Sequence, residues 1–143
     1  MEIKVEHIGA TQFEISTRGH KIISDQPTAG GGFDEGMTPP ELLLASLGSC
    51  AGYYAVDYLK RNGLLLDGMK VQVTADKVKP SVKPGEKPAG VRIDNFKIEV
   101  EVPRELSPEQ RHGVEDAVHR CLVHNTLLSP PRIELEIKSE VTA

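Results

Sequence analysis

Two cysteines, Cys50 and Cys121, are the residues of this 143-residue chain best suited to chemistry. In a reducing compartment, two thiols far apart in sequence are either small buried apolar groups or redox partners, rather than a permanent staple. A redox pair needs one sulfur held as the thiolate, because only the anion attacks an O–O or S–S bond, and a second thiol that captures the resulting sulfenic acid as a disulfide. A free cysteine with a pKa of about 8.5 is roughly 3% ionised at pH 7. Its surroundings must therefore lower that pKa by about two units, ~2.7 kcal/mol of differential stabilisation, to make it a good nucleophile. A neighbouring arginine would do so.

The segment His119-Arg120-Cys121-Leu122-Val123-His124 offers a second chemistry. Cys121 and His124 lie three apart and share a helix face, so with Cys50 they could hold a zinc or copper ion. Structural zinc, however, wants four ligands, and His119 points away from Cys121. Solvent-facing histidines beside a buried Cys121 is the competing reading. Gly30-Gly31-Gly32 resembles a phosphate cradle only superficially: no Lys-Ser or Lys-Thr pair follows, and Pro39-Pro40 removes two backbone donors from the next helix. A serine hydrolase would show a Gly-x-Ser-x-Gly elbow, which is absent from the sequence.

The elements that must position the cysteines follow from periodicity. Residues 3–8 and 12–16 alternate apolar and polar, and Arg18-Gly19-His20 reads as a turn into Lys21-Ile22-Ile23-Ser24, predicting a three-stranded antiparallel meander. Residues 27–36 read as a loop. Thr38-Pro39-Pro40-Glu41 has the form of a capping box with proline at the first helical position, and the helix it opens should run to Asn62-Gly63. On that helix Leu43, Leu47, Cys50 and Tyr54 recur at spacings of three and four, while Ala45, Ser46, Gly48, Ser49, Ala51 and Gly52 let another element come close. Strands are expected at 70–77 and 91–102, joined by a proline-rich tip from Lys79 to Pro88. Ser107-Pro108-Glu109-Gln110 opens a second helix, which carries Val114, Ala117, Val118, Cys121 and Leu122 on one side. A last strand is expected over Ile133–Ile137. The order reads as one α+β domain spanning residues 1–143, with antiparallel sheet and a cysteine on each helix.

Composition narrows the partners. A formal charge of −4 opposes phosphate-backbone binding, so nucleic acid is not expected. The start of the chain lacks the basic and apolar regions of a signal peptide, and no apolar run reaches the roughly 20 residues that span a bilayer, so the expectation is a cytoplasmic protein with no membrane partner. With 38% hydrophobic residues and no tryptophan the core is thin, which suggests help from a partner subunit.

Thr38-Pro39-Pro40-Glu41-Leu42-Leu43-Leu44-Ala45-Ser46-Leu47-Gly48-Ser49-Cys50 resembles the signature of the OsmC/Ohr family of osmotically inducible and organic hydroperoxide resistance proteins, and His119 to Asn125 resembles that family's second cysteine segment. Arg18-Gly19-His20 and the Pro-Glu helix start are similar to its YhfA-like branch. The resemblance implies an OsmC-like fold and an intertwined homodimer. It implies reduction of organic hydroperoxides, with Cys50 as the peroxidatic and Cys121 as the resolving cysteine, and an external dithiol as reductant. It implies no metal or bound cofactor. Glu41 matches the family's glutamate that pairs with an arginine. The two places where the family carries that arginine correspond to Ala10-Thr11 and Gly32 here; Arg18 could supply the charge from a shifted turn, with an exposed turn residue as the competing reading, and the activating cation stays unassigned. The alternative is an OsmC-like dimer that binds an apolar ligand or partner and whose cysteines are merely buried.

Overall fold

The structure, a computed structural model, describes residues 1–65, 67–87 and 90–139. The first strands are β1 (Lys4–Gly9), β2 (Gln12–Thr17) and β3 (His20–Ser24), an antiparallel meander in the order β1-β2-β3. Arg18 and Gly19, at φ 48° and 81°, make the two-residue turn between β2 and β3, whose twist demands positive φ at both positions. Val5 pairs with Ile15 and Ile15 with Ile22, so one face of the meander carries an apolar row across all three strands. The loop that follows holds a short 3-10 turn at Thr28–Gly30 and returns to β3 through a bridge between Ser24 and Met37.

Helix α1 (Pro39–Arg61) begins as its capping box requires: Glu41 Oε2 accepts from the Thr38 backbone N–H at 2.7 Å and from its hydroxyl at 2.9 Å. Its buried stripe is Leu47, Ala51, Ala55 and Leu59, one residue per turn. The small residues do admit a close neighbour, strand β4 (Lys70–Val78): a Cβ on Gly48 would stand 3.0 Å from Val73 Cγ2, and one on Gly52 3.4 Å from Val71 Cγ2. Strand β5 (Arg92–Glu101) pairs antiparallel with β4 as a two-stranded sheet. Of the proline-rich connection between them, Pro88 lies outside the described residues. Helix α2 (Pro108–His119) closes the core, setting Val114 and Val118 against Ala51, Ala55 and Leu59, with Ile98 and Val100 of β5 alongside.

Two expectations need correction. The second cysteine-bearing helix stops at His119, and Cys121 instead caps a separate helix α3 (Leu122–Leu128). No glycine or proline marks the break, so apolar periodicity reads straight through it. The expected strand over Ile133–Ile137 is not formed: residues 131–139 belong to no regular element, and Ile133, Leu135 and Ile137 are 86%, 86% and 83% exposed. A strand exists only by pairing, and among the described residues nothing pairs with the segment.

Candidate active site around Cys50 and Cys121

Cys50 lies in the fourth turn of α1, on the flank of its buried stripe and partly accessible, while Cys121 is completely buried at the start of α3. The break between α2 and α3 brings them together. Arg120 keeps helical dihedrals, but Cys121 turns to ψ 125°, which ends one helix and starts the next. Cys121 then serves as N-cap, its Sγ accepting the His124 N–H at 3.4 Å. Both are free thiols, and each acts on the ionisation of the other.

That geometry separates them electrically. Burial disfavours the Cys50 anion, but the hydrogen bond from the Cys121 thiol and the backbone N–H groups of Val123 and Leu122 outweigh it, so the Cys50 pKa falls below its ordinary value. For Cys121, burial and its role as donor to Cys50 raise the pKa. One sulfur is prepared to be the thiolate and the other to remain the thiol. The stabilising charge that the sequence left to an arginine is supplied at least in part by peptide dipoles, which no residue type announces.

Of the other sequence candidates, Glu41 is exposed at the start of α1, its carboxylate engaged by Thr38. Nine helical residues, about 13.5 Å, separate it from Cys50. Arg18 is exposed on the β2–β3 turn, and among the described residues it forms no ion pair or side-chain hydrogen bond. Within one chain the structure brings together Cys50 and Cys121, and leaves Glu41 and Arg18 elsewhere.

His119 and His124 stack across the α2–α3 junction at 5.6 Å between centroids, and His124 Nδ1 is buried with no hydrogen-bond partner among the described residues. His124 is thus turned inward rather than to solvent. No cluster of three or more potential metal ligands occurs among the described residues. Both rings border an open cavity of about 1420 Å³ between β5, α2 and α3, lined largely by apolar side chains such as Leu47, Ile98, Val118 and Leu127.

Sequence reasoning missed Asp25. It is completely buried, yet among the described residues no cation pairs with it; it accepts instead from Thr11 Oγ1 (2.8 Å), Gln12 Nε2 (3.2 Å) and the backbone N–H groups of Gln26 (2.7 Å), Phe33 (3.0 Å) and Glu35 (3.2 Å). Burial works against its charge, but these donors hold the carboxyl well below the usual carboxylate range. Asp25 is therefore the anchor that ties the glycine-rich loop to the β1–β2 turn. Its only sequence signal is an acidic residue at the end of an apolar strand.

Residues 32–136 match the family model of OsmC-like proteins. No curated protein sequence matches the chain closely enough to count as a relative. Solved structures share the fold. A Psychrobacter arcticus protein named for osmotic stress induction and detoxification response is 21% identical, with TM-score 0.73 over 87% of this chain and 85% of that one. An OsmC-like protein of Mycoplasma pneumoniae is 21% identical, with TM-score 0.66 over 90% and 87%. A Legionella pneumophila protein named as the organic hydroperoxide resistance protein OsmC is 14% identical, with TM-score 0.65 over 90% of each chain. With its family model covering both cysteines and its α+β fold shared with these structures, the chain belongs to the OsmC-like family.

Proposed function

We propose that the protein is a cysteine-based peroxidase that reduces organic hydroperoxides, in defence against oxidative stress. The observation that carries this reading is the unequal thiol pair: Cys50 is partly accessible and held toward the thiolate, and Cys121 is buried and held toward the thiol by its neighbour Cys50. The Cys50 thiolate attacks the distal oxygen of ROOH, the O–O bond breaks, and RO⁻ takes a proton to leave as ROH. The Cys50 sulfenic acid is then attacked by Cys121, forming the disulfide and releasing water. An external dithiol reduces the disulfide by exchange and is itself oxidised. The OsmC-like family includes structures named as organic hydroperoxide resistance proteins, which supports the substrate class.

In this reading the protein is a homodimer of single-domain chains in the cytoplasm and needs no metal or organic cofactor. No described helix is long and apolar enough to cross a membrane. Glu41 and Arg18 are auxiliary residues that act on Cys50 only from the second subunit, since neither reaches it within its own chain.

The test is stoichiometric oxidation. Reduced protein receives one equivalent of cumene hydroperoxide, and free thiols and intact mass are followed for wild type, Cys50→Ser and Cys121→Ser. Wild type should lose both thiols and two hydrogens within seconds; Cys121→Ser should stop at an oxidised Cys50, and Cys50→Ser should not react. Thiols that survive for many minutes would instead favour a second reading, a non-enzymatic binder of an apolar ligand. The observation behind that reading is the cavity of about 1420 Å³, larger than the roughly 300–1,000 Å³ typical of small-molecule pockets.

A further inference from the structure

Under the proposed peroxidase cycle, the disulfide forms at a place where no reductant can reach one of its sulfurs. Cys121 is completely buried in the reduced protein. Thiol–disulfide exchange requires a thiolate to approach a disulfide sulfur directly, so in the closed site exchange is confined to the partly accessible Cys50 sulfur, and attack at Cys121 requires an opening.

The part that can open is visible in how α3 is held. The helix has seven residues, none of them buried, and so short a helix is marginal unless its ends are secured. Its N-terminus is secured by sulfur. Cys121 Sγ accepts the His124 N–H at 3.4 Å, and the Leu122 and Val123 N–H groups favour the Cys50 anion. Across the junction the only aromatic contact among the described residues is the stack of His119 on His124.

Disulfide formation acts on this arrangement in two ways. It removes the thiolate, the strong acceptor for the helix N–H groups, leaving a neutral sulfur that accepts weakly. It also pulls the two sulfurs from a non-bonded to a bonded separation. Cys50 cannot move far, because α1 is fixed by the fully buried Ala51, Ala55 and Leu59. Helix α2 is likewise fixed through Val114, Ala117 and Val118. The displacement must fall on α3.

We propose that α3 is a redox-controlled lid: docked by the reduced cysteine pair, and released when Cys50 and Cys121 join, which opens the disulfide to its dithiol reductant. This rests on the peroxidase reading for its purpose but not for its mechanics, and the oxidant in the test is chosen accordingly.

The experiment is amide hydrogen exchange on the full-length protein, reduced and after oxidation with diamide, which takes up both thiol hydrogens without any peroxide chemistry. Protection of the amides of residues 122–128 should fall by about tenfold or more on oxidation, as expected for a locally released element, while residues 47–59 of α1 keep theirs. Cys121→Ser, which cannot form the disulfide, should show no change at 122–128 after diamide. Equal or greater protection in the oxidised protein, or failure of diamide to join the cysteines, overturns the proposal. If diamide releases α3 but cumene hydroperoxide leaves both thiols intact, the lid stands and the peroxidase reading falls.

Discussion

At Cys50 the decisive groups are hydrogens rather than charges. Its anion faces a thiol donor from Cys121 and backbone donors from Val123 and Leu122, against a burial cost that alone would raise its pKa. The contributions can be separated by mutation. Cys121→Ser keeps an O–H donor and should leave the Cys50 pKa below its ordinary value, whereas Cys121→Ala removes the donor and should move it upward. The rate of iodoacetamide alkylation against pH reports both, since only the thiolate reacts. An identical profile for the two variants would show that the Cys121 hydrogen bond does not set the Cys50 pKa. Both cysteines were legible in the sequence as candidates for a redox pair, because residue type alone marks them. Their inequality was not, because it depends on which sulfur the peptide groups of α3 face.

Elements were legible where their ends carry chemistry of their own. The Thr38–Glu41 and Ser107–Gln110 boxes, each with proline at the first helical position, fix the starts of α1 and α2 where the sequence places them. The end of α2 has no such mark. The loop at 27–36 was legible as a loop, but not the Asp25 carboxylate that organises it, since its donors are mostly backbone. A depressed carboxyl pKa makes a signed prediction: Asp25 stabilises the fold fully above the unfolded value of about 3.9, and the contribution is lost as pH falls below it. Asp25→Asn should therefore be less stable than wild type at pH 7. The difference between them should shrink steadily below pH 4 in denaturant titrations followed by circular dichroism. Helix packing makes another. Gly113 of α2 lies directly against the Tyr58 ring of α1, and an added Cβ would overlap the phenol. Gly113→Ala should cost about 1–3 kcal/mol, the usual range for overpacking. In the Tyr58→Ala background the same substitution should cost much less, a coupling that a double-mutant cycle measures directly.

At the scale of the whole molecule, the chain leaves uncovered what a folded protein normally covers. The meander carries the cross-strand row Val5, Ile15 and Ile22, with Val5 and Ile22 about half exposed. Residues 133–137 keep the alternation of a strand with no strand beside them among the described residues, and Ile133, Leu135 and Ile137 stand almost bare. Each surface supplies what the other lacks: one is an apolar face beside open sheet edges, the other a segment whose backbone and alternate side chains need such a place. A second copy of the chain offers both at once, and two-fold symmetry makes the exchange reciprocal. We therefore expect a mass of twice the 15.6 kDa chain by sedimentation equilibrium at micromolar concentration. Replacing Leu135 and Ile137 together by glutamate places two charges on the alternating apolar face without touching the core of either chain, and should shift the equilibrium to monomer. Under the proposed function Glu41 and Arg18 would act on Cys50 from the second subunit, so the same double variant should also slow Cys50 oxidation by cumene hydroperoxide while leaving the fold by circular dichroism unchanged. A wild-type monomer would remove the partner from the site, and with it any part for Glu41 and Arg18 in the chemistry.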